Sequence, residues 1–165
     1  MTERFIEARA VVPASRETLW ECWTTVEGIT SFFAPACNVD IQPDGPYEIF
    51  FNPDAPLGER GGEGLKVLAV QEPHMLSFTW NAPPSLPEVR PQRTAVVVRF
   101  SPTADTETEV ILHHTLWGNG GQWDAAYDYF TAAWQRVVMP RLVWRFKNGP
   151  IDWNNPPSPS DLNSL

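Results

Sequence analysis

Three histidines are the side chains of this 165-residue sequence best suited to moving a proton near neutral pH. His74 stands in a QEPH turn, while His113 and His114 are adjacent in TEVILHHTLW, a segment whose alternation reads as a strand. Neighbouring residues of a strand point to opposite faces, so the adjacent pair cannot share a metal ion. With Val110 and Leu112 facing inward, His114 faces inward too, and it is the one histidine expected on that side. As a general acid or base it would need a polar partner, and the sequence supplies no convincing one. A lone inward histidine is more often a hydrogen-bonded core group. GxSxG, HExxH, P-loop and dinucleotide motifs are absent from the sequence, and neither a metal site nor a cofactor is expected.

The remaining charged groups have simple readings. Asp40 and Glu48 fall on neighbouring strands of a solvated sheet face, and Asp124 and Asp128 suit the positive end of a helix. Arg141 has two readings: it snorkels out at a helix end, or it anchors a ligand carboxylate. Cys22 and Cys37 are not in CxxC spacing and read as small buried hydrophobes.

The elements that position these groups follow from periodicity. In GGQWDAAYDYFTAAWQRVVMPRLVWRF, Trp123, Tyr127, Phe130, Trp134 and Val138 share one narrow helical stripe, whereas Asp124, Asp128, Gln135 and Arg136 lie off it. One helix over 121–147 is expected, kinked near Pro140, where a hydrogen bond is lost. Upstream, IEARAVV reads as a first strand. Ser15 then caps a helix carrying Leu19, Trp20, Trp23 and Val26, and a second short helix carries Ile29, Phe32 and Phe33. Six more strands follow, divided by turn residues. The resulting fold class is α+β: a curved antiparallel sheet of about seven strands wrapped around a long C-terminal helix, with two short helices after the first strand.

Composition narrows the partners. A net charge of −8 and scattered basic residues argue against nucleic acid, which is held by clustered Lys and Arg. The sequence has neither a transmembrane-length apolar run nor a signal-type N-terminus, so membrane insertion is not expected and a reducing cytoplasm is the default. Residues 1–153 suit one domain. The segment 154–165, NNPPSPSDLNSL, reads as a disordered proline-rich tail.

Four features carry a family resemblance: PASRETLWECWTT after a strand, Pro73 before LSFTW, the TEVILHHT strand, and the aromatic helix. Together they resemble the SRPBCC or START-like superfamily, the helix-grip fold. Within it they are similar to the group related to the C-terminal domain of the activator of heat-shock protein 90 ATPase. The resemblance implies a cavity between sheet and long helix that takes an apolar small molecule of lipid, polyketide or aromatic type. Phe32, Phe33, Phe78, Trp80, His114, Leu116, Trp123, Tyr127, Phe130 and Trp134 are the expected lining. His114, Tyr127 and the Trp80 indole are the polar groups that could orient a ligand. Two alternatives stay open: a co-chaperone-type interaction domain with a chaperone partner, and a cyclase- or hydrolase-type enzyme using His114.

Overall fold

The computed structural model describes residues 3–165. Strand β1 (Ile6–Val12) is followed by helices α1 (Arg16–Thr24) and α2 (Val26–Thr30). The strands β2 (Ala36–Val39), β3 (Tyr47–Phe50), β4 (Gly61–Gly62), β5 (Val67–Gln71), β6 (Met75–Trp80), β7 (Thr94–Ala104) and β8 (Glu107–Thr115) come next. Ser15 caps α1 by accepting a hydrogen bond from the Thr18 amide, as its position before the apolar run predicts.

The expected single sheet of about seven strands is instead two sheets. One has the order β1-β8-β7-β6-β5 and the other β2-β3-β4. A bridge between Pro46 and Lys66 and the hydrogen bond from the Tyr47 amide to the Leu65 carbonyl keep the two in contact. The additional strand, β4, comes from a loop that reads as turn chemistry. Gly61 pairs with Phe50 at φ 133°, and a Cβ there would stand 2.6 Å from the Ile49 carbonyl oxygen. Only glycine allows that approach, so the loop closes onto β3.

The C-terminal helix runs through α3 (Gln122–Ala132), a π-helical stretch (Ala133–Val138) and α4 (Met139–Asn148). The irregularity predicted at Pro140 lies just before it. Proline has no amide to donate and its ring crowds the carbonyl four residues back. The wider turn, in which the Met139 amide bonds to the Trp134 carbonyl, absorbs both defects. Phe130, Trp134, Val138, Met139 and Leu142 pack with inward residues of the sheet, among them Ala8, Phe78, Val96, Val98 and Leu112, in one core. Trp23, Phe32 and Phe33 from the α1–α2 region complete it, their rings 5.1–5.5 Å apart.

The tail is a second departure. Ser158 and Asp161 form a reciprocal capping box that starts a one-turn helix, α5 (Pro159–Asn163), and Leu162 is buried where α5 meets the π stretch and α4. Ahead of it, the Trp153 indole donates to the Thr30 carbonyl at 2.7 Å. Prolines restrict the unfolded chain, so a single apolar anchor and a cap suffice to order it.

Candidate functional site

His114 is fully buried, on the inward face where strand alternation places it. The Trp134 indole N–H donates to its Nδ1 at 3.0 Å, so that nitrogen is the acceptor and the ring proton sits on Nε2. Nε2 in turn donates to Thr94 Oγ1 at 2.6 Å, and the threonine hydroxyl is 3.4 Å from the Trp80 carbonyl. Trp117 covers the ring at a centroid distance of 4.3 Å. Burial lowers the imidazole pKa from 6.5 to about 3, so the ring stays neutral across the physiological range. Both nitrogens are occupied within the protein. The arrangement joins strand to helix and leaves no lone pair for a substrate proton.

A cleft opens beside this node. One lobe, about 230 Å³, lies between Phe51, Trp80, Tyr129, Phe130, Ala133, Trp134, Val137, Val138 and Arg141. A second, about 210 Å³, shares Phe51, Trp80, Tyr129 and Phe130 and extends to Asn52, Arg60, Gly61, Asn81, Pro83 and Arg90. The floor is rigid: Trp80 and Trp134 are both buried, with ring centroids 5.3 Å apart, and Phe33 stacks behind Trp80 at 5.9 Å. Phe51 and Tyr129 are exposed and form the lips. The Trp80 indole N–H is buried without a hydrogen-bond partner.

Arg90 positions the loops around the second lobe. Its guanidinium donates to the carbonyls of Gly58, Gly61 and Ala82, tying the β3–β4 loop to the β6–β7 loop. At the other end, Arg141 stacks on the Trp153 ring, its guanidinium carbon 5.2 Å from the centroid. Its Nε is buried with no hydrogen-bond partner, and burial lowers its pKa.

Of the residues expected to line a cavity, Trp80, Phe130 and Trp134 border the cleft. Phe32, Phe33 and Phe78 lie in the closed core, with Phe78 stacked on Tyr47 at 4.2 Å, and His114 sits behind Trp134. Leu116 is 58% exposed: its φ of 68° ends the alternation of β8 and turns the side chain outward. Trp123 packs on Gly118, where a Cβ would meet its indole nitrogen at 2.3 Å. The Tyr127 hydroxyl donates to the Phe5 carbonyl, under the Arg4 guanidinium. The first half of the aromatic stripe thus serves the β1 end of the molecule. Among the lining residues the sequence reading passes over, Phe51 and Tyr129 are the aromatic ones. Phe51 shares parity with inward Tyr47 and Ile49, so its signal was present; Tyr129 lies off the stripe and carries none.

A sheet gripping a long C-terminal helix, with an apolar cleft along one helix flank, defines a helix-grip protein of the START-like class. Residues 13–146 match the family model described as Activator of Hsp90 ATPase homolog 1-like protein, and the chain belongs to that family. Similar folds occur in DynU16, a protein in the dynemicin biosynthetic locus (16% identity, TM-score 0.65), which covers 90% of this chain; the chain spans about half, 49%, of DynU16. The Aha1 dimer from Colwellia psychrerythraea is similar at 18% identity and TM-score 0.65, with 88% of this chain and 98% of that one covered. An HSP90 activator from Plasmodium falciparum matches at 14% identity and TM-score 0.59, covering 82% and 90%. No curated protein sequence matches significantly. No helix among the described residues is long and apolar enough to cross a membrane, and none of their His, Cys, Asp and Glu side chains cluster as a metal site.

Proposed function

We propose that the protein binds a small apolar molecule in the cleft along the C-terminal helix. The observation that carries this is the roughly 230 Å³ lobe itself, walled by Trp80, Phe130 and Trp134 and open between Phe51 and Tyr129. A dry apolar cavity of about 150 Å³ accepts benzene, so one or two rings suit a space of this size. The hydrophobic contribution of about 25 cal/mol per Å² removed from water supports micromolar binding without a charged clamp. A catalytic role for His114 has less support, since both ring nitrogens are bonded internally. Cys22 and Cys37 are free, with thiol pKa values pushed up to about 11 by burial, which suits a reducing cytoplasm.

The test is a thermal-shift panel of neutral polycyclic aromatics, flavonoids and fatty acids. At least one compound should raise the Tm of the wild type, and Tyr129→Ala, at an exposed lip, should reduce that shift while leaving the unliganded Tm nearly unchanged. A panel with no stabilising member sinks the reading. Family membership and the likeness to an HSP90 activator favour a second reading, a chaperone-interaction domain. Stoichiometric co-purification with an Hsp90-type chaperone, undiminished by Tyr129→Ala, would put that reading first.

A further inference from the structure

Resting on the small-molecule reading, we infer that the ligand is an aromatic or short apolar acid whose carboxylate meets the Arg141 guanidinium at the end of the cleft. Three observations converge on this. Arg141 lines the same lobe as Trp80, Phe130 and Trp134, so an anion beside it is continuous with an aromatic body on the cleft floor.

The charge also lacks an internal partner. Several surface cations lack an acid too, but burial disfavours the charge of two arginines, Arg90 and Arg141, and of these Arg90 pairs with Glu63. Among the described residues no carboxylate pairs with Arg141, although its surroundings are apolar enough to disfavour its charge. A partly desolvated guanidinium without an acid is an incomplete pair, and a carboxylate completes it with a bidentate geometry that an amide or alcohol does not match. Finally, the guanidinium is oriented before any ligand arrives. The Trp153 ring holds it from one side, and that ring is fixed by its own hydrogen bond to Thr30. Prior positioning lowers the ordering cost of binding.

Isothermal titration of 2-naphthoic acid and its neutral amide, 2-naphthamide, at pH 7 tests the assignment. The wild type should prefer the acid by about tenfold, as a charge-assisted pair predicts. Arg141→Met should abolish the preference by weakening the acid alone, and Arg141→Lys should retain part of it. Tyr129→Ala should weaken acid and amide together. Equal binding of both compounds by the wild type, or an acid preference that survives in Arg141→Met, overturns the inference and leaves the small-molecule reading intact. Binding of neither naphthalene compound overturns the inference; stabilisation by other neutral members of the panel then decides the broader reading separately. Should Arg141→Met not fold, the wild-type ratio and Arg141→Lys decide the outcome.

Discussion

His114 bonds the Trp134 indole and Arg141 lines the cleft that Trp134 helps to floor, yet their surroundings differ in kind. Around His114 both ring nitrogens are bonded and the ring is sealed by Trp117. At Arg141 the guanidinium touches an aromatic face and borders the cleft, and it pairs with no acid among the described residues. A titratable group in a small apolar protein is often taken as a site because of its type. Here the partner inventory points the other way: the histidine has the features of a structural fastener, and the arginine those of a group awaiting a partner.

The largest expected effect breaks the histidine side. Trp134→Ala removes a buried indole and leaves His114 Nδ1 without its donor, so unfolding in urea should show a loss of about 4 kcal/mol. A loss below about 1.5 kcal/mol would mean that the node is loosely packed and that His114 is available for chemistry after all.

Acid titration comes next. The folded-state pKa of His114 lies below its unfolded value, so the unfolded chain binds the extra proton as pH falls. The contribution is fully present above pH 6.5 and is lost progressively down to about pH 3. At pH 5 the loss should already amount to about 2 kcal/mol. Tm measured between pH 7.5 and 5 should fall more steeply for the wild type than for His114→Gln, which bonds without titrating. Parallel slopes would show that the ring is not held neutral.

A smaller change probes the tail that closes over the same helix. Leu162→Ala should cost about 1.5 kcal/mol, a Tm drop of about 4 °C for a chain of this size, and removal of residues 155–165 should cost at least as much. An unchanged Tm in both would return the tail to the disordered state its composition suggests.

The smallest effect sharpens the contrast. Arg141→Met gives up an aromatic contact but also a desolvated charge, so stability should stay within about 0.5 kcal/mol of the wild type. A loss above 2 kcal/mol would make Arg141 a structural residue like His114.

The fold was legible because its signals are long and redundant. Alternation in MLSFTW and TEVILHHT, the Ser15 cap and the helical spacing of Leu19, Trp20 and Trp23 each agree with the element they form. The cleft was less legible because its outline depends on where patterns stop. Leu116 obeys the parity of β8 and fails it by a single positive φ; Tyr127 obeys the helical stripe but reaches the part of the helix that overhangs β1. Sequence spacing states which residues share a face, and not how far along that face the neighbouring element extends. The tail escaped for another reason: one leucine and a capping box are too weak a signal against five prolines and serines in a row.

The π-helical stretch has a consequence for chain length. It holds one residue more than an α-turn would, so everything beyond Val138 is rotated by about 100° from the course α3 began. Counted from Trp134, Met139 and Leu142 stand on the core face beside Val138, where an unbroken α-helix would present Val138 and Arg141. Deleting one residue between 135 and 138 would convert the wide turn to an ordinary α-turn and leave Met139 and Leu142, now four and seven residues from Trp134, on the face they hold already. The one extra residue of backbone is therefore what keeps the Arg141 cation at the cleft edge and gives its place on the core face to Leu142.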